Sequence, residues 1–453
     1  MFTNAAHIVC ALLAVLYTFL ALGSCALPIA APVYAVRIEA PLPEVGERHL
    51  VILSARGEAT HSLLRAANLY MQEHPGVLIS VHTVGEEADY KSALRSRLLA
   101  GGRVDLFHIF GYSDMRELKE HLDDLSDIYW ARYAIADTLE PVSVDEQFFG
   151  VPYSLEGVGL IVNTGIFEAA GVSLAGVDSF DALEDAWRDL REVITLGDMR
   201  EQFPLLESVT SLPGLDDDFL SRQLADVALG GEFDTAAQAA QAVFIPYSNA
   251  EAMGLYVSLL ARYTAHGRGW AMLAEITGSE QVENGLAAER VAVIQQSVEV
   301  YPRILAINPE LEGNLRLMPV FLQGGQQGYV YTHAPVYWAV NANASEESKA
   351  LARDFLTWLY RSQAGASFLA QEMGVLSPFR DTAVATANPL HGQLLSFIAQ
   401  GRSLPRRHRE FPPGWNTNSF AAALREYFTV RELTWEEVVQ RNVQDWAYSR
   451  IGG

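Results

Sequence analysis

The sequence predicts an α/β protein whose opening third is a parallel sheet with covering helices, and three observations carry that expectation. Beyond its first fifty residues the chain alternates short apolar runs with amphipathic stretches in the order β-α-β-α-β. Half of its 453 residues are hydrophobic, which suffices for sizeable cores in roughly two or three units of ordinary size. The sequence contains no tandem repeat, low-complexity segment or heptad series that would point to a solenoid, a disordered tail or a coiled coil.

Each element has a local cause. "HLVILSA" (residues 49–55) is an apolar run ending in small residues, the pattern of a buried strand. The next segment puts Leu63, Leu64, Ala67 and Tyr70 at helical spacing, and Pro75-Gly76 stops that helix. "VLISVHTV" gives a second strand. "YKSALRSRLLAGG" gives a helix closed by Gly101-Gly102, and "VDLFHIF" a third strand. Farther on, an apolar strand runs from Glu156 to Asn163, followed by a helix from Thr164 to Gly171. Acidic helical segments such as "SFDALEDAWRDLREVI" dominate residues 167–244, and "AERVAVIQQ" returns to strand. "GYVYTHAPVYWAVN" is aromatic and β-branched and reads as strand. It precedes a helix, "SEESKALARDFLTWLYR", with Ser345 as N-cap and acids in the first turn. The tail reads as two helices.

The formal net charge of −23 excludes a nucleic-acid partner, because phosphate binding needs clustered Lys and Arg. Residues 1–36 contain no Asp, Glu, Lys or Arg and read as an export leader. Three fates are open for it. "LGSC" at residues 22–25 resembles a lipobox that would place lipid on Cys25. "VYA" at residues 33–35 suits ordinary signal cleavage, and the apolar stretch is also long enough to stay as a membrane anchor. All three put the body outside the cytoplasm. The two cysteines, Cys10 and Cys25, both lie in this leader, so the body has no thiol, disulfide or cysteine metal site.

Candidate chemistry narrows by elimination. The scattered His residues form no H-E-x-x-H and argue against a catalytic zinc; His108 and His333, near strand ends, read as ordinary polar contacts. There is no G-x-S-x-G elbow. "GVG" at residues 157–159 precedes its strand and lacks a third glycine, so it is no dinucleotide loop. No metal or cofactor is expected. Glu156, alone at the mouth of its strand, fits a catalytic acid, a ligand contact or a turn filler; glycoside hydrolysis would need a second positioned carboxylate. The run "RRHRE" at residues 406–410 reads as a solvated loop, with a permease or lipid contact as the sharper alternative. Predicted strand ends and loops carry the mixture of aromatic and planar polar groups that suits sugars: Phe110 and Tyr112 in "FGYSD", Tyr153 and Glu156 in "PYSLE", Tyr247 in "YSN", Gln296 and Ser297 in "QQS", and Trp415 in "PPGWNTNS". Ligands gather at the carboxyl ends of parallel strands.

The order of these motifs resembles the extracellular solute-binding proteins of bacterial ABC importers, the family that includes maltose-binding and other sugar-binding proteins. "LLRAANLYMQEHPGVLISVHTV", "YKSALRSRLLAGGRVDLFHI" and above all "FFGVPYSLEGVGLIVNTGIFEAAGV" are similar to successive segments of that family. "VENGLAAERVAVIQQ" follows, with Glu289 where Met is usual, and "VYWAVNANASEESKALARDFLTWLYRSQAGASFLAQEMGVLSPF" and "LTWEEVV" complete the series. The resemblance covers essentially the whole exported body. It implies a two-lobed periplasmic-binding-protein fold of type II, with a cleft between lobes joined by hinge crossings. One lobe would comprise residues 37–155 and 318–377, the other residues 156–317 and 378–453. It implies a small-molecule solute, carbohydrate above all, captured by hinge closure and passed to permease subunits by a monomer that performs no chemistry. A glycoside-processing enzyme using Glu156, or a surface adhesin on the same fold, are the rival readings. Carried over by position, Glu156 matches a glutamate that binds sugar hydroxyls. Ser54, Arg56 and Glu58 match a ligand-facing loop, and Phe110 and Tyr112 a contact turn. Gln296 and Ser297 stand where a stacking Trp is common, which leaves Trp415, Trp270 or Tyr247 to supply stacking.

Overall fold

A computed structural model describes residues 48–85, 87–99, 102–214, 218–269, 276–325, 328–380 and 384–451. The leader with Cys25, and Trp270, lie outside the described residues.

The opening alternation forms β1 (Arg48–Ser54), α1 (Thr60–Glu73), β2 (Val77–Thr83), α2 (Glu87–Leu99) and β3 (Leu106–Ile109). β1 pairs parallel with β2 and with β3. The helix α1 turns Leu63, Ala66, Ala67 and Tyr70 inward and stops where Gly76 takes a φ of 81°. Two strands from far along the chain, β4 (Val151–Pro152) and β10 (Tyr337–Val340), complete this first sheet in the order β2-β1-β3-β10-β4. Its core includes Leu50, Ile52, Leu106, Trp338 and Phe355. Phe355 belongs to the helix of residues Glu346–Arg361, capped by Ser345, whose side chain accepts the Ser348 N–H.

The second sheet centres on β5 (Glu156–Asn163). With β6 (Ser208–Thr210), β7 (Val291–Ser297), β9 (Val330–His333) and β11 (Ser403–Pro405) it has the order β11-β9-β5-β7-β6, and β8 (Leu315–Met318) also pairs with β5. Apolar clusters cover both faces, one with Trp187, Tyr256 and Trp446, the other with Ile161, Ile294 and Leu394. The "GVG" of β5 has a packing cause. A Cβ at Gly157 would fall 2.4 Å from Leu394, and one at Gly159 would fall 2.7 Å from the Met318 carbonyl oxygen.

Three segments connect the sheets. The chain leaves the first at Pro152 and enters the second at Glu156; it returns between His333 and Tyr337, and crosses once more near Ser377. The crossings brace one another: Tyr153 N–H donates to the Val336 carbonyl (3.0 Å) and Leu155 N–H to the Leu376 carbonyl (2.9 Å). Two expectations are corrected here. The return to the first lobe does not lie at Met318, which pairs with Leu160 in the second sheet. "GYVYTHAPVYWAVN" is two strands in different sheets, β9 and β10, parted at Ala334-Pro335-Val336. Proline has no N–H to give a ladder, so pairing stops there and the chain is free to change sheets.

Candidate functional site

The cleft lies where strand ends of both sheets face each other. Ser54 ends β1, and the following loop carries Arg56 and Glu58. Ser54 is fully buried and its Oγ accepts the Arg56 N–H at 3.1 Å, which fixes the exit angle of the loop. The Arg56 guanidinium then reaches in two directions, to Glu58 at 2.6 Å within its own lobe and to Glu156 at 3.3 Å in the other. It also sits over the Tyr153 ring, with 5.7 Å to the centroid. Burial pushes the Glu156 carboxyl above the ordinary carboxylate range, against the pull of Arg56. Glu58 itself is 64% exposed and contributes little beyond holding Arg56.

After β3 the turn Phe110-Gly111-Tyr112 meets the other lobe. Glu410 accepts the Tyr112 N–H at 3.0 Å and the Ser113 N–H and Oγ–H at 3.1 and 2.6 Å. Gly111 has a φ of 145°, and a Cβ there would fall 2.8 Å from Glu410 Oε1, so only glycine permits this approach. Phe110 is buried between the Lys91 ammonium and the Arg409 guanidinium, 5.0 and 4.9 Å from its centroid. Beside it a pocket of about 320 Å³ has walls from both lobes: Glu87, Ser113 and Asp114 on one side, Arg222, Arg409 and Asn416 on the other.

The run "RRHRE" builds this cleft and is not a solvated loop. Arg407 is 1%, His408 6% and Glu410 5% exposed. Each cation meets an acid distant in sequence: Arg406 meets Asp226 (2.6 Å), Arg407 meets Glu140 (2.5 Å) and Arg409 meets Glu87 (3.1 Å). Glu140 and Glu87 belong to the first lobe, so two of these pairs bridge the cleft. His408 Nδ1 lies 2.7 Å from Asp226. Burial alone would raise the Asp226 carboxyl, yet His408 and Arg406 hold it down at about 2. Burial also lowers His408 to about 4, with Asp226 opposing the shift.

The structure therefore brings Arg56, Phe110, Tyr112, Tyr153 and Glu156 to one cleft. Gln296 stands nearby as part of a buried amide chain, accepting from Gln223 (3.3 Å) and donating to Gln281 (3.2 Å). Ser297 caps the next turn, its Oγ accepting the Glu299 N–H. Two expected stacking residues are not at the surface of the cleft. Trp415 is 1% exposed, packed on Phe411, Phe420 and Trp446, with its indole N–H donating to the Asn442 carbonyl. Tyr247, 4% exposed, belongs to the same core. A buried ring has no free face, so neither supports a ligand by stacking. Sequence reasoning missed Arg406, His408 and Glu410. The available signal was a pair of prolines closing the run at Pro412-Pro413, which marks a fixed loop. Among the described residues, no group of three or more His, Cys, Asp or Glu is placed to hold a metal ion.

A two-sheet molecule with three crossings and a polar cleft matches known structures. Ligand-free RafE of Streptococcus pneumoniae superposes with a TM-score of 0.71 at 14% identity, covering 90% of this chain and 99% of RafE. The same protein with raffinose gives 0.66 at 13% identity, over 89% and 99% of the two chains. Maltose-bound MalE3 of T. maritima gives 0.63 at 12% identity, over 88% and 99%. No curated protein matches the chain significantly by sequence. The sequence profile of the bacterial extracellular solute-binding proteins matches residues 53–366, well over half of the chain. The chain belongs to the bacterial extracellular solute-binding proteins.

Proposed function

We propose that the protein captures a sugar or sugar derivative outside the cytoplasmic membrane and hands it, as a monomer, to the permease of an ABC importer. The observation that carries this reading is the Arg56–Glu156 contact between the lobes, together with a polar pocket that has walls from both. A solute touching both walls stabilises the closed arrangement, because a ligand shifts an equilibrium only by its differential contacts with the two states. Glu156 accepts hydroxyl hydrogen bonds, and Arg56, Arg222 and Asn416 donate them. The likeness to proteins solved with raffinose and maltose favours a carbohydrate. Among the described residues, no helix is long and apolar enough to cross a membrane. In this reading lipid on Cys25 tethers the body to the membrane, with cleavage after Ala35 or a retained anchor as the alternatives.

The test is a thermal-shift screen of the exported protein against sugars, polyols and peptides, since a ligand of the folded state alone raises its melting temperature. A sugar that shifts the midpoint supports the reading. A shift by another solute class and by no sugar overturns it. Mass spectrometry of the native N-terminus separates lipid on Cys25 from a terminus at Val36.

A further inference from the structure

Next to His333 a cavity of about 30 Å³ lies between the lobes, the room of one water molecule or one halide ion. Its second-lobe wall holds His333, Arg406, Arg407 and Arg409; three buried donors there, Arg406 Nη2, Arg407 Nε and Arg409 Nε, have no acceptor among the described residues, and the buried His333 Nδ1 has no partner, its role set by the tautomer. Its first-lobe wall comes from Gly111 and from residues 136–138.

We propose that this cavity is a binding site for a compact anion, either a free halide or the carboxylate of a solute, gripped by Arg406, Arg407, Arg409 and His333. Each arginine already spends another nitrogen on a fixed acid, Asp226, Glu140 or Glu87, so its side chain is held in place at the cavity wall. Beside burial, Arg406, His408, Arg409 and Arg56 act on His333, while Asp226, Asp218 and Glu156 act on Arg406. Two acids share the wall. Glu410 is committed to the backbone and hydroxyl of Tyr112 and Ser113, and the Asp137 side chain is exposed. A buried donor left unmatched is destabilising, the more so when it is charged. An anion has no protons of its own to place and accepts from several charged donors at once. Because the walls come from two lobes, the anion binds the closed arrangement and favours it. The inference does not rest on a sugar as solute.

The experiment has two parts. First, melting of the exported protein is followed while sodium chloride replaces sodium methanesulfonate at constant ionic strength, which cancels general screening. The expected result is a saturable rise of about 2 °C or more, absent in Arg409→Met. Second, crystals grown in sodium bromide are expected to give an anomalous peak in the cavity, a readout that needs no variant to fold. A matched pair, glucuronate and glucose, identifies the source. Glucuronate competing with chloride assigns the site to a solute carboxylate, and additive effects assign it to free halide. A midpoint that ignores chloride, together with water alone in the cavity, overturns the proposal.

Discussion

The Arg56 guanidinium and the Glu156 carboxylate, a hundred residues apart in sequence, lie 3.3 Å apart across the cleft between the two sheets. Arg56 keeps Glu58 as a second partner, whereas Glu156 is largely buried, and that burial raises its carboxyl against the pull of Arg56. Removing the Glu156 charge therefore separates binding from stability. A carboxyl whose folded value lies above its unfolded value stabilises fully below the unfolded value and loses that contribution as pH rises through the folded one. Glu156→Gln is thus expected to melt at or above the parent at pH 7, with the difference vanishing in acid. Solute affinity is expected to fall roughly 10- to 100-fold, the loss of hydrogen bonds to a charged acceptor. Calorimetric titration and melting at two pH values check both.

Asp226 gives the opposite sign. Its carboxyl is held at about 2 by His408 and Arg406 despite burial. A depressed carboxylate contributes stability above its unfolded value, near 4, and loses it as pH falls toward 2. Urea denaturation of the parent is expected to weaken across that window. Asp226→Asn strands the buried Arg406 and is expected to cost about 3–5 kcal/mol at pH 7, with much of the acid dependence gone.

Trp415 separates core from site. Its burial among Phe411, Phe420 and Trp446 puts the cost of Trp415→Ala at about 3–5 kcal/mol, measured by denaturant unfolding. Trp415→Phe is expected to leave solute affinity within about threefold, whereas a stacking platform would lose more.

Much of the fold is written locally. Pro75-Gly76 ends a helix and Ser345 begins one by rules that need only neighbouring residues. The break at Pro335 was equally local, but a change of sheet is a tertiary event, so the segment around it reads as one strand. The site was half legible. Arg56 and Phe110 follow the carboxyl ends of parallel strands, where such a sheet presents ligand groups, whereas Glu156 opens β5, whose pairings with β7, β8 and β9 are antiparallel. Arg406 and His408 are buried only because Asp226, about 180 residues earlier, is folded against them. Charge runs read as solvent-exposed until such a partner is placed. Trp415 misled for the converse reason: a loop aromatic beside prolines looks exposed, and tertiary packing buries it.

Gly111 is a point of close approach between the lobes. Gly111→Ala would drive a Cβ into Glu410 from a φ that alanine rarely adopts. The expected outcome is a larger radius of gyration in solution scattering and an affinity about tenfold lower, with the individual lobes still folded. That affinity change corresponds to roughly 1.4 kcal/mol of closure.

The reading of the cleft as a solute site meets its most direct test in calorimetric titration of the exported protein with the sugars that raise its melting temperature, beside Glu156→Gln. The expected result is saturable one-to-one binding, weakened at least tenfold by the substitution, with the sugar recovered unchanged. Absence of binding by any sugar, or hydrolysis of a glycoside that Glu156→Gln abolishes, would contradict it.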